Sequence, residues 1–334
     1  MDAYIFDKPT FNKLYNCSNA QNLSDFRDPS PILGYIFISC FVIFEVLYLP
    51  LLFVLALPFY RSKSCYQLMY AITWIDIFTM PINGGLTGYF FIKGSTYCDF
   101  PMAILFAGAF GNVFWMGQSF LTVTLALNRC LSMVSPYFGD ILFSGKRTFI
   151  WIGIDICYMV TLFFTTKSIF FNAAGGAWFF TPFLGYDNDN YRNWIHFAHN
   201  TCIPIFLALF YLIFALSILK KRLISAQQPQ VLHVIYSEAA LFLPVFIISV
   251  VVFCGALVYD YTQFFAIPTI MVKAASFSWL FVHGFPSVLL LVTHKQIRGD
   301  YFQIMGINFF MRKFKNRNTT YTTNTARLPT ITHA

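Results

Sequence analysis

The chain has 334 residues, of which 57% are hydrophobic, 20% aromatic and only 11% charged, with a net charge of +8. Soluble domains carry roughly 25% charged residues and about 45–50% apolar ones, so a soluble globule of this composition would lack a polar coat. A disordered chain, a nucleic-acid-binding domain and an ordinary cytosolic enzyme are excluded, and lipid is the expected surrounding of the excess apolar mass.

In chain order, residues 1–32 are polar, mixed in charge and without the apolar core of a cleavable signal, and are expected to form an extracellular segment. This segment holds two glycosylation sequons, Asn16-Cys17-Ser18 and Asn22-Leu23-Ser24. Seven apolar runs follow: Leu33–Phe59, Leu68–Ile92, Phe100–Val134, Thr148–Phe171, Cys202–Leu219, Ala239–Val258 and Phe264–Thr293. They run from 18 to 35 residues, against the roughly 20 that a helix needs to cross about 30 Å of hydrocarbon. Lipid offers no partners to backbone groups, so the runs must be helices, and none alternates as barrel strands do. The expected fold is an all-α membrane protein, a bundle of seven transmembrane helices over residues 33–294. Residues 295–310 alternate polar and apolar positions and suit an amphipathic juxtamembrane helix. Residues 311–334 are threonine-rich and are expected to be a disordered cytoplasmic tail.

Charge gives the orientation. Of 22 basic residues, 15 fall in one set of connecting segments and in the tail, and five in the other set. Eight acids lie with those five, and only Asp140 and Asp300 with the 15. The positive-inside rule then places the N-terminus outside and the tail in the cytoplasm. Membrane lipid is one expected partner of the basic inner face, and nucleic acid is not.

Four acids remain inside the spans: Glu45, Asp76, Asp155 and Glu238. Ionisable groups there are costly and are functional candidates by default. Glu45 and Asp155 suit inter-helix hydrogen bonding. Glu238, near the inner start of the sixth run, is placed to latch Arg129 across the bundle. Lys273 sits about ten residues into its run, where it would attract an anionic ligand or pair with Asp260. Aromatics in the outer half, Phe106, Phe110, Trp115 and Phe171, together with Trp279, are candidates for an apolar ligand pocket. No nucleotide loop, zinc-binding histidine pair, nucleophile elbow or metal-ligand spacing occurs, so neither enzyme activity nor a metal or cofactor is expected. A multi-span transporter or a non-signalling membrane scaffold is the rival reading. No repeated halves or paired helix breaks favour the transporter.

The longest run ends Ala126-Leu127-Asn128-Arg129-Cys130-Leu131. This resembles the rhodopsin-like acidic-Arg-aromatic motif, with Asn128 in place of the acid and Cys130 in place of the aromatic. The competing reading is a boundary arginine snorkelling to phosphates. Further on come Leu142-Phe143-Ser144-Gly145-Lys146-Arg147-Thr148 and Trp151; earlier stand Tyr15-Asn16-Cys17-Ser18 and Ile43-Phe44-Glu45-Val46-Leu47-Tyr48-Leu49-Pro50. As a set, these are similar to nematode seven-span chemoreceptors of the serpentine receptor class T family, whose layout sibling serpentine classes share. The resemblance implies a chemosensory, GPCR-like receptor in the plasma membrane of sensory neurons and their cilia. Its implied partners are an external small molecule and a heterotrimeric G protein, met by Arg129 with Lys146 and Arg147 nearby.

By the same resemblance Asp76 matches the acid common in the second span of rhodopsin-like receptors, with His283 or Ser287 as neighbours. It would form an ion or water site that rearranges on activation, or else a satisfied packing network. A neutral Asn128 would hold Arg129 less firmly at rest than an acid. Pro286 is kept in His283-Gly284-Phe285-Pro286-Ser287, but the usual Asn and Tyr are absent. Trp279 occupies the position of the opsin lysine, so a light receptor is not implied. The receptor disulfide would be Cys98–Cys202. Yet Cys98 precedes Arg129 by 31 residues, a long interval, and residues 172–200 contain no cysteine, so a bridge involving Cys17 stays open.

Overall fold

The structure is a computed structural model and describes residues 1–19, 27–183, 189–224, 246–247, 249–261, 264–265 and 268–306. It is an all-α bundle of membrane-spanning helices with one small hairpin at its outer end. The first span is Pro31–Leu55. The second is one column of three pieces, Ser64–Met80, a π-helical stretch Pro81–Leu86, and Thr87–Lys93. The third is Pro101–Val134, the fourth Thr148–Thr165, the fifth Trp194–Ile224 and the seventh Thr269–Thr293. Of the sixth, Ser249–Tyr261 is described. Among the described residues, five helices are long and apolar enough to cross a membrane unaided by any neighbouring segment. The second span reaches across only as the sum of its pieces.

Close approach of backbones sets the arrangement. A Cβ on Gly88 would lie 2.6 Å from the Gly34 carbonyl oxygen, and one on Gly34 2.5 Å from that of Gly88. Only glycine at both positions lets the first and second spans touch this closely, the usual solution where lipid supplies no hydrophobic drive between helices. Pro81 lacks the N–H needed to continue the regular ladder, and the π stretch begins at that residue. The third span has 34 residues, about 51 Å of helix, and packs against the second, fourth and fifth spans.

Several run boundaries shift by a few residues, and two differ most from expectation. The fourth run was expected to reach Phe171, but its helix stops at Thr165. Thr165 and Thr166 turn their hydroxyls back onto Thr161 and Leu162 carbonyls, and Lys167 follows. Its Nζ donates to the Asn190 and Arg192 carbonyls at 2.7 and 3.0 Å, a contact with the loop before the fifth span. Burial holds this ammonium below the ordinary lysine range. Phe170–Asn172 is instead strand β1, paired antiparallel with β2, Ala177–Phe179. The fifth helix starts at Trp194, eight residues before the expected Cys202, because Asn193 Oδ1 caps it by accepting from the His196 N–H.

The hairpin is driven into the bundle. Phe170, Phe171 and Trp178 are almost completely buried. Trp178 Nε1 donates to Thr87 Oγ1 at 2.8 Å, and Ser276 Oγ donates to the Gly176 carbonyl in the turn. Over it lies the N-terminal segment. Tyr15 packs on Phe170 and Tyr191, with centroids 5.0 and 5.7 Å apart, and Tyr191 donates its hydroxyl to the Leu14 carbonyl.

A disulfide joins Cys17 to Cys98, with Cα atoms 5.6 Å apart. The Cys98–Cys202 pairing is therefore corrected. Cys202 is a free, exposed thiol on the fifth helix, and Cys98 is already bonded to Cys17. The bridge pins the N-terminal segment to the start of the third span, on the side where oxidation is permitted. Asn16 is exposed beside it and its Oδ1 accepts from the Ser18 N–H; Asn22 lies outside the described residues. At the other end, helix Lys295–Ile304 follows the seventh span and packs on the first. Tyr60 donates to Asp300 Oδ2 at 2.6 Å, and Ile297 and Tyr301 are buried. The remainder of 295–310 from residue 307, and all of 311–334, lie outside the described residues.

Replacing Cys17 by Ser should destabilise the outer end by about 4–5 kcal/mol, the loop-closure term for a bridge of this span. Cys202→Ser should leave stability unchanged. Thermal unfolding of the two purified variants against the parent, with peptide mapping under non-reducing conditions, checks both.

Candidate functional site

A cavity opens in the outer half of the bundle, with about 790 Å³ of space not filled by atoms, its mouth included. The third span contributes Asn112 and Trp115, and the hairpin Trp178 and Phe180. Tyr191 and Arg192 come from the loop before the fifth span, which itself adds His196. Gly255 and Tyr259 of the sixth span and Trp279 and Val282 of the seventh complete it. Three of these elements are joined by polar contacts beneath the wall. Trp115 Nε1 donates to Asn200 Oδ1 at 3.0 Å, and Asn200 Nδ2 donates to Asp260 Oδ1 at 3.2 Å, tying the third, fifth and sixth spans.

Below, His199 ties the third, fourth and fifth. Its Nε2 lies 2.7 Å from Ser119 Oγ and its Nδ1 2.8 Å from the Tyr158 hydroxyl. The Ser119 hydroxyl points its hydrogen at the Trp115 carbonyl, so it accepts from Nε2–H, and Tyr158 donates to Nδ1. That assignment follows from donor counting.

The cavity floor leads inward. The rings of Trp115 and Trp279 each stand edge-on to His283, with centroids 6.2 Å away. His283 Nδ1 is 2.7 Å from Asp76 Oδ1. Asp76 Oδ2 lies 2.9 Å from the Tyr48 hydroxyl, which also lies 2.5 Å from the His283 carbonyl. One hydroxyl hydrogen thus serves two acceptors. All three side chains are inaccessible to solvent. His283 Nε2 is buried and meets no partner among the described residues. Ser287 donates to the Gly284 carbonyl, one turn from this cluster, and Pro286 is buried in the same stretch.

At the inner end Arg129 donates from Nε and Nη2 to Asn128 Oδ1, at 3.2 and 2.7 Å, and Asn128 Nδ2 donates to Ser64 Oγ at 3.0 Å. The neutral amide thus accepts from two nitrogens of the guanidinium and ties it to the second span through Ser64. Cys130 is buried beside it. Arg147 donates to the Asp140 and Ile141 carbonyls at the end of the short helix Pro136–Phe143, while Lys146 is exposed. Glu238, the expected latch for Arg129, lies outside the described residues.

Of the pocket candidates, the structure brings Trp115 and Trp279 together on the cavity wall and places the others elsewhere. Phe106 and Phe110 point away: Phe106 meets Tyr4, and Phe110 meets Phe163 with centroids 4.9 Å apart. Phe171 is sealed inside the hairpin. Lys273 pairs with Asp28 at 3.6 Å, not with Asp260, and its stem lies against Gly176. Asp155 is buried with Oδ1 unpartnered among the described residues, packed against the third span at Gly117. Glu45 Oε1 is likewise buried without a partner there.

Tyr48, His196, His199, Asn200 and Arg192 are the residues that the sequence reading passed over. A signal existed for three of them. His196, His199 and Asn200 stand at i, i+3 and i+4, one face of one helix.

The described residues thus form a helical membrane bundle with an outer cavity and a polar cluster below it. The family model for serpentine type 7TM GPCR chemoreceptors of the Srt class matches residues 3–314, and the chain belongs to that family. No curated protein matches its sequence.

Tyr48→Phe should leave Asp76 short of one donor and destabilise the bundle by about 1–3 kcal/mol. His283→Ala should cost more, since it also opens a void below Trp115 and Trp279. Thermal unfolding midpoints of the purified variants in one detergent measure both.

Proposed function

We propose that this chemoreceptor binds an external small molecule in the outer cavity and passes the event to a heterotrimeric G protein at the inner end. The observation that carries this reading is the contact of two wall residues, Trp115 and Trp279, with the one imidazole that holds Asp76. A molecule that moves either ring acts directly on the cluster joining the first, second and seventh spans. It shifts the resting–active balance only by binding one state better than the other. His283 Nε2, which meets no partner among the described residues, stands to gain one in a second arrangement.

In the same reading Asn128 is the resting clamp of Arg129. Release of that amide frees the guanidinium for the G protein, with Lys146 and Arg147 on the adjoining loop. Glu238 adds a second hold from the sixth span. The chain resides in the plasma membrane, in sensory cilia, with its sequon side outside and a glycan on Asn16.

The test is calcium imaging of cells that express the chain with a promiscuous G protein, across volatile and soluble chemicals. At least one compound should evoke a response that Arg129→Ala abolishes at equal surface expression. Silence to the whole panel despite surface expression would favour a transporter or a scaffold. Asn128→Ala should raise the ligand-free signal severalfold, by removing about 1.5–3 kcal/mol of charged hydrogen bonding from the resting state. An unchanged basal level at matched surface expression would remove Asn128 from the mechanism.

A further inference from the structure

The wall of the cavity says what kind of molecule it selects, given that the cavity is the ligand site proposed above. We infer that the ligand is an uncharged, flat, largely apolar molecule with one hydrogen-bond acceptor, such as a ketone or ester on an aromatic frame.

Charge comes first. Arg192 is the one full cation among the described wall residues; its charge is paired, while its Nε is buried and meets no partner among the described residues. Its Nη1 lies 2.6 Å from Asp189, and its guanidinium stands 5.1 Å from the centre of the Phe264 ring. A carboxylate ligand would compete with Asp189 for this charge, whereas a neutral acceptor could take the open Nε and leave the pair intact. No Asp or Glu belongs to the described wall. Asp260 stands behind it and accepts from Asn200. An ammonium ligand would therefore be buried without a counter-ion, which is strongly unfavourable.

Shape comes second. Seven of the fourteen described wall residues are aromatic, and three of those are tryptophans. Such a wall favours a flat guest that can lie offset-stacked or edge-on to the rings.

The acceptor comes from a comparison of those three tryptophans. Trp115 gives its indole N–H to Asn200, and Trp178 gives its own to Thr87. Trp279 Nε1 is buried and meets no acceptor among the described residues. A buried donor left unmatched costs more than a missing contact, so a guest that brings an acceptor gains what the wall by itself forfeits. The same ring touches His283, so the bond that selects the ligand also lies one contact from the Asp76 cluster.

The test uses the purified full chain in lipid nanodiscs and four matched probes: acetylnaphthalene, ethylnaphthalene, naphthoate and naphthylmethylamine. Affinities are read from the rise in unfolding temperature with probe concentration. Acetylnaphthalene should bind about tenfold more tightly than naphthoate or naphthylmethylamine, and several-fold more tightly than ethylnaphthalene. Trp279→Phe should weaken acetylnaphthalene by about fivefold to tenfold, one neutral hydrogen bond, and leave ethylnaphthalene within about twofold. Equal affinity for all four, a preference for the acid or the amine, or indifference of the ketone to Trp279→Phe overturns the inference and leaves the cavity as the ligand site. No stabilisation by any of the four on the folded parent chain overturns the cavity reading, and this inference with it.

Discussion

Asp76 has nowhere to send its carboxylate except to protein. Its side chain is wholly buried at mid-span, where the bilayer offers no water and no hydrogen-bonding partner. Tyr48 and His283 supply the partners from two other spans. Meeting that demand requires the backbones to come unusually close. Gly34 and Gly88 allow it between the first and second spans, and Gly284, lying against the Phe44 ring, allows it between the first and seventh. A side chain at any of these glycines would hold the helices apart and strand the carboxylate. The tail helix packs on the first and seventh spans, the two that meet Asp76 from either side.

The outer half is built on a second set of polar ties. Trp115–Asn200–Asp260 and Ser119–His199–Tyr158 stitch the third, fourth, fifth and sixth spans below the cavity. Above it, the hairpin and the N-terminal segment close the outer end, pinned by Cys17–Cys98 and by the grip of Leu14 and Tyr15 on Tyr191. The cavity is thus a gap between two sets of contacts, one below it and one above. Trp115 belongs to both the wall and the ties, which is why displacement of its ring would be felt by the fifth span as well as by His283.

How much of this was legible in the sequence follows from what each feature depends on. The helical bundle was legible because a long apolar run can cross lipid in no other way. Asp76 stood out because a lone acid in such a run must have a partner. The end of the fourth span was not legible, because Phe170 and Phe171 are as apolar as a lipid-facing pair but are buried in protein. The start of the fifth was missed for the opposite reason. His196, His199 and Asn200 read as polar loop, yet they face partners inside the bundle. Phe106 and Phe110 were equal candidates with Trp115 for the pocket. They lie at other angles around the third helix, and composition does not give a helix its rotation.

The sequence by itself determined that the chain lies in a membrane, how many times it crosses, which side carries the positive charge, and which acids are out of place. Those properties depend on composition along the chain and on the fixed thickness of the bilayer. Only the tertiary structure decided which cysteines pair, which aromatics face the cavity, that Asn128 clamps Arg129, and that Tyr48 and His283 are what Asp76 requires. Those are relations between residues far apart in the chain, and they exist only once close helix packing has chosen the rotation and depth of every span.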